Sequence, residues 1–93
     1  MRVYDKAQWH IDAGEDKSEV VNKFKAIFTF LNEESLLSPD GKEIFDLGID
    51  GSISLNDKML NNNGKVFIVK YYDRVINYNS EKIVDELYKL LKK

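Results

Sequence analysis

The segment DKAQWH, residues 5–10, contains the only tryptophan and the only histidine of this 93-residue chain. Histidine is the side chain best suited to proton transfer near neutral pH, and it is also a common metal ligand. Asp12, Glu15 and Asp16 follow within six residues of His10 and offer carboxylate oxygens. A small metal- or ligand-binding module, or an enzyme, centred on His10 is therefore one hypothesis.

The residues around His10 do not match the spacing that such chemistry uses. HIDAGED lacks the alternating oxygen ligands of a calcium loop and does not have its glycine at the required position, and the chain has no second histidine and no cysteine for zinc. A histidine without a positioned partner rarely catalyses a reaction. We therefore predict no catalytic residue, no metal site and no cofactor. We expect Trp9 to anchor the N-terminus in a groove between helices, with His10 half-buried or capping.

A second cluster combines the cations Lys65, Lys70 and Arg74 with the aromatic pair Tyr71 and Tyr72. Cations interleaved with aromatic rings are typical of proteins that stack single-stranded bases, so a helical nucleic-acid binder is a further alternative. The formal net charge of −2 gives no electrostatic reason for such binding. Both tyrosines also fall on an apolar helical stripe, which favours core packing. We predict no nucleic-acid partner.

Composition places the chain among ordinary globular domains, with 43% apolar and 32% charged residues. No apolar run approaches the roughly 18–20 residues that cross a bilayer, and the N-terminus shows no secretory signal. The absence of cysteine is compatible with a reducing compartment. We predict a single helical domain over residues 1–93, located in the cytoplasm, with no membrane partner and an undetermined oligomeric state.

The clearest element follows Asp16, which with Glu19 three residues later resembles a capping box. The apolar residues that follow recur at helical spacing and predict a helix to about residue 34, with one buried stripe: Val20, Phe24, Ile27, Phe28 and Leu31. Phe30 lies off this stripe, so we expect a second neighbour to cover it.

Three further helices are predicted from caps and periodicity. Ser38 and Pro39 open a short helix over 39–47, which Gly48 closes, although SPDG is equally compatible with a type I turn. The segment 63–77 contains the strand-like VFIV, but a helical period is sustained over nine residues: Ile68, Tyr71, Tyr72, Val75 and Ile76. Ser80 caps the last helix, whose stripe is Val84, Leu87, Tyr88 and Leu91.

The fold class that these elements predict is all-α, a compact array of four to five helices. Residues 51–56 alternate in polarity, and a short helix over 55–61 is equally compatible with their capping pattern. The alternative is α+β, with a short two-stranded element formed by 51–56 and 65–70.

The opening of the chain resembles that of a family of small bacterial proteins that begin with D-K-A-x-W-H. The residues that carry the resemblance are Asp5, Lys6, Ala7, Trp9 and His10, then Leu36, Leu37 and Ser38, then Gly64, Phe67, Tyr71 and Tyr72. Asn63 departs from the acidic residue that commonly precedes the glycine in that family. No activity is established for the family, so the resemblance implies a helical fold and no particular function. Small acidic bacterial proteins of this kind include immunity and antitoxin partners encoded beside toxins.

The charges are unevenly distributed along the chain. Residues 1–50 carry eleven acidic and six basic side chains, whereas residues 51–93 carry five acidic and eight basic ones. Together with the missing catalytic set, this favours a non-enzymatic protein-interaction domain of the immunity or antitoxin type. Its partner would have a basic surface. The residues predicted to bind that partner are Asp5, Trp9, His10, Asp12, Glu15 and Asp16.

Overall fold

The computed structural model describes residues 1–93 and confirms the predicted array of helices. The helices are α1 (Ala7–Asp12), α2 (Lys17–Glu33), α3 (Pro39–Leu47), α4 (Asn62–Val75) and α5 (Ser80–Leu91). Two short strands, β1 (Val3–Lys6) and β2 (Ser54–Asn56), add a small sheet, and a 3₁₀ turn (Asp57–Met59) follows β2. None of the helices combines the length and the apolar character that crossing a membrane requires.

Helix α2 forms the centre of the core, and its apolar stripe is buried as predicted. Helix α5 makes the largest contact with it. The second neighbour expected over Phe30 consists of Phe67 from α4 and Tyr88 from α5, whose ring centroids lie 5.6 Å and 4.9 Å from the Phe30 ring. Aromatic pairs at these separations stabilise a core beyond the area that they bury.

The start of α2 differs from the expected capping box. Asp16 does accept a hydrogen bond from the Glu19 amide, at 3.0 Å. Glu19 does not reach back, however, because its carboxylate accepts a hydrogen bond from the Ser80 amide, at 2.9 Å. This bond lowers the pKa of Glu19. Glu19 thus supplies an acceptor to the first turn of α5, where free amides favour a negative charge.

Helix α4 replaces the strand that the alternative placed at 65–70. Asn61 caps it by accepting from the Gly64 amide at 2.8 Å, and the residues of the predicted stripe are buried except Ile76, which is partly exposed. In α5, the prediction was wrong in two details. Asn79 rather than Ser80 is the cap, and the buried side chains are Ile83, Leu87 and Leu90.

The sheet pairs β2 with the N-terminus of the chain rather than with 65–70. Asp5 lies opposite Leu55 in an antiparallel ladder that contains a bulge between Val3 and Asp5. The strand alternative was therefore correct at 54–56 and wrong about its partner. The predicted helix over 55–61 is reduced to the 3₁₀ turn.

Helices α3 and α4 begin at the two ends of one backbone bridge, between Leu37 and Leu60. The cap of α3 is Ser38 and the cap of α4 is Asn61; each is followed three residues later by a glycine, Gly41 or Gly64. A Cβ on Gly41 would lie 2.1 Å from the Met59 carbonyl oxygen, and one on Gly64 would lie 2.2 Å from that of Leu36. Each glycine therefore lets a helix approach the opposite backbone.

We expect Gly41→Ala and Gly64→Ala each to lower the free energy of unfolding by about 1–3 kcal/mol, because a backbone carbonyl cannot move aside as a side chain can. Alanine has the better helix propensity, so a gain would be expected if the approach were unimportant. Gly51→Ala is the control, since its Cβ would meet the flexible Lys17 side chain at 3.1 Å. Urea denaturation of the three variants measures the difference. Equal stability of all three would contradict the packing argument.

Candidate functional site

A buried carboxylate, Asp5, organises a group of interacting ionisable side chains inside the molecule. It lies in β1, and only 1% of it is exposed. It accepts hydrogen bonds from the Tyr72 hydroxyl at 2.6 Å, from His10 Nε2 at 2.9 Å and from the Lys6 amide at 2.8 Å. A carboxylate removed from water needs such donors, because an unpaired buried charge is very costly.

His10 lies between two carboxylates. Its Nε2 faces Asp5, and its Nδ1 lies 2.7 Å from Glu15 Oε2. Ionised carboxylates only accept hydrogen bonds, so the doubly protonated ring is the form that satisfies both contacts. The Glu15 amide also donates to the His10 carbonyl oxygen at 3.1 Å, which fixes the loop after α1 against the same residue.

Lys23 is the second buried cation near this group. It interrupts the apolar face of α2, and its Nζ donates to the carbonyl oxygen of Ile76, at the C-terminal end of α4. Burial lowers the pKa of Lys23, while the negative charges of Asp5, Glu15 and Glu19 oppose that shift. The ammonium thus lies at the end of a helix, where unpaired carbonyl groups favour a cation.

Tyr72 links α4 to this group and is held in its neutral form. Burial, followed by the charge of Asp5 and the hydrogen bond to it, raises the pKa of Tyr72 well above the usual value of a phenol. The hydroxyl therefore acts as a hydrogen-bond donor to Asp5 rather than as a base. Asp5, Lys23 and Tyr72 are buried, His10 is nearly so, and Glu15 bounds the group at the surface, where half of its side chain is exposed. These five residues are called the buried charge network below.

The structure places Trp9 at the surface, contrary to the expectation, and His10 deeper than the half-buried position expected for it. The Trp9 side chain was expected in a groove between helices, but 51% of the residue is exposed. Only 11% of the His10 side chain is exposed. Neighbouring positions of a helix point in different directions, so turning His10 toward Asp5 turns Trp9 outward. Lys6 Nζ lies 5.7 Å from the centroid of the indole.

The predicted partner-binding residues accordingly fall into two groups. Asp5 lies in a strand, and its burial removes it from any contact surface; His10 is nearly as inaccessible. The exposed group consists of Trp9, Asp12, Glu15 and Asp16. Asp12 accepts a hydrogen bond from Gln8 at 2.7 Å.

Sequence reasoning missed Lys23 and the role of Tyr72. Lys23 lies between Val20 and Ile27 at helical spacing, so a charge on the apolar stripe was the signal available for it. Tyr72 was correctly predicted as a core residue, but its hydroxyl bonds to Asp5, 67 residues earlier in the chain. No local pattern indicates a contact of that separation.

The network offers little reactive chemistry. Both ring nitrogens of His10 are occupied, and no group of three His, Cys, Asp or Glu side chains could hold a metal ion. The three surface depressions do not include His10 or Asp5 in their linings. The nucleic-acid alternative requires an aromatic ring that is accessible to a base. Tyr71 is buried, and Lys70 and Arg74 lie over its ring, so Tyr71 is not free to stack on a base.

We expect Tyr72→Phe to lower the free energy of unfolding by about 1–3 kcal/mol, because Asp5 loses a donor that water cannot replace in the interior. Tyr71→Phe is the matched control: its hydroxyl bonds to no protein group. Denaturation by urea at neutral pH compares the two variants with the unmodified chain. An effect of Tyr71→Phe as large as that of Tyr72→Phe would show that the hydroxyl–carboxylate bond is unimportant.

The contribution of Tyr72 should also depend on pH at the alkaline end. Its pKa in the folded chain lies well above the ordinary value of 10.0, so the folded state holds the proton more tightly than the unfolded state. The stability difference between the unmodified chain and Tyr72→Phe should be constant below about pH 10 and shrink above it. Urea denaturation across this range tests the prediction. A difference that grows with alkalinity would contradict it.

Comparison with known proteins gives no match: no family model, no curated protein and no solved structure matches the chain.

Proposed function

We propose that the chain is a non-catalytic protein-interaction domain that binds a partner with a basic surface through Trp9 and the acidic side chains beside it. The observation that carries this proposal is the half-exposed indole on a helix that the buried charge network holds in place. Tryptophan is among the residues that contribute most to binding energy at protein interfaces.

The helix that presents Trp9 is short but firmly anchored. β1 leads directly into α1, and the Ala7 amide donates to the Ile53 carbonyl oxygen at 3.1 Å. His10 ties the other end of α1 to Asp5 and Glu15. A residue displayed on such a fixed element loses little conformational entropy on binding, which favours affinity.

The charges near Trp9 favour a basic partner. Asp12, Glu15 and Asp16 are exposed, against the exposed cations Lys6 and Lys17. The first fifty residues as a whole carry five more acidic than basic side chains, eleven against six. Such complementarity accelerates association and makes it sensitive to salt.

An inhibitor of a toxin encoded beside it is a specific form of this role, since small acidic bacterial proteins include such inhibitors. The absence of cysteine suits the reducing cytoplasm, where we place the encounter. A neighbouring reading frame that encodes a secreted or contact-delivered toxin would identify the partner to test. A metabolic operon in that position would argue against the inhibitor role.

We expect Trp9→Ala to abolish retention of a specific partner from extracts of the organism that encodes the chain, because removing a tryptophan hot spot costs at least about 2 kcal/mol. Tyr78→Ala is the control, since Tyr78 is the other exposed large aromatic side chain. Asp12→Asn combined with Asp16→Asn should weaken retention chiefly at low salt.

The purified partner then allows a direct measurement, because Trp9 is the only tryptophan. For a partner engineered to lack tryptophan, binding should shift the indole emission to shorter wavelength and reduce its quenching by acrylamide. Retention of the same proteins by the unmodified chain and Trp9→Ala would refute the proposal.

A further inference from the structure

The sheet has a free edge that faces an open groove. β2 pairs with β1 alone. Leu55 lies opposite Asp5, and the Ile53 carbonyl oxygen accepts from the Ala7 amide, so these residues direct their backbone groups toward β1. Successive residues of an antiparallel strand direct their N–H and C=O groups to opposite edges. The backbone groups of Ser54 therefore point away from β1.

Ser54 lines a surface depression of about 370 Å³ between β2 and α3. Ile44 and Leu47 of α3, together with Met59, form its apolar wall. Leu47 is 78% exposed, so most of its apolar surface is open to solvent at this wall. A second depression of about 200 Å³ shares Ile44 and Met59 with the first, so the two adjoin, and together they are called the groove below.

The ends of this groove are acidic. Asp40 and Glu43 line one end, and Asp50 lines the other. Lys58 is the only cation in the lining. A strand edge, an apolar wall and carboxylates at both ends are the features that bind an extended segment with apolar residues in its middle and basic residues at its ends.

We propose that this groove binds an extended segment of a partner protein as an added strand. The Ser54 N–H and C=O groups exchange hydrogen bonds with one residue of that segment. An apolar side chain of the segment packs on Ile44, Leu47 and Met59, and its Lys or Arg residues meet the carboxylates at the ends. This surface uses none of the residues proposed at Trp9, so it stands independently of that function.

The probe is a panel of acetylated heptapeptides, Lys-Arg-Xaa-Thr-Xaa-Arg-Lys, in which Xaa is Val, Leu or Phe. Binding to the ¹⁵N-labelled full chain is followed by amide chemical shifts at low salt. We expect saturable shifts at Ser54, Leu47 and Met59 for at least one peptide. A peptide with Glu in place of each Lys and Arg should bind at least tenfold more weakly.

Two changes test the binding mode without disturbing the fold. Methylation of the peptide nitrogen that bonds to Ser54 should weaken binding about tenfold, the equivalent of one lost hydrogen bond. Leu47→Lys should also weaken binding at least tenfold, whereas Val66→Lys, at another largely exposed apolar residue, on α4, should leave it unchanged.

Trp9→Ala separates this proposal from the previous one, because it should not alter peptide binding. Absence of saturable binding across the panel would overturn the groove proposal. Binding that Leu47→Lys does not weaken, or chemical-shift changes centred on Trp9, would overturn it as well. If the methylated and unmethylated peptides bound equally tightly, strand addition would be excluded.

Discussion

The position of the N-terminal segment depends on keeping the Asp5 carboxylate charged and satisfied in the interior. Each donor to that carboxylate comes from a different part of the chain: the Lys6 amide from the end of β1, His10 from α1 and Tyr72 from α4. A strand of four residues paired with one of three residues has little stability of its own. The hydrogen bonds to the Asp5 carboxylate supply the stability that the ladder lacks. Moving β1 away would break these bonds and leave a buried charge without enough partners. No buried side-chain nitrogen or oxygen in the chain is without a hydrogen-bond partner.

This constraint explains why the single tryptophan and the single histidine are adjacent. α1 has only six residues, so it cannot bury a wide face. His10 takes the inward direction because Asp5 and Glu15 require a donor between them. Trp9 is consequently left at the surface. In the sequence, His10 and the carboxylates near it resemble a reactive site, whereas in the structure His10 joins Asp5 to Glu15. The adjacent Trp9 is the residue that is accessible to another molecule.

Local signals predicted most of the helical architecture and little of the sheet. The bounds of α3 follow from Ser38, Pro39 and Gly48, and the helical period of α4 prevailed over its strand-like composition. β1 has no such signal, since four residues without alternation do not indicate a strand. Its pairing with β2 joins residues about fifty positions apart, and sequence spacing carries no information about such contacts. The same limit applies to the bond between Asp5 and Tyr72.

The candidate site was only partly predictable for a related physical reason. Charged residues near one another in sequence look alike whether they point inward or outward, and their direction is set by partners elsewhere in the fold. Lys23 illustrates this, because its ammonium is buried only where α4 ends and offers a carbonyl oxygen. The acidic residues Asp12 and Asp16 lie at the surface as expected, and their hydrogen-bond donors, Gln8 and the Glu19 amide, are only a few residues away in the chain.

The small sheet also connects the interior to the surface that the groove presents. Leu55 is fully buried opposite Asp5, whereas Ser54, the next residue toward the N-terminus, is partly exposed on the free edge. A shift of one residue in the pairing would turn Ser54 inward and Leu55 outward, so the register of the ladder sets both exposures. The network around Asp5 fixes this register by holding β1 in place. The direction in which the free backbone groups of Ser54 point is therefore set by a carboxylate that no partner can touch.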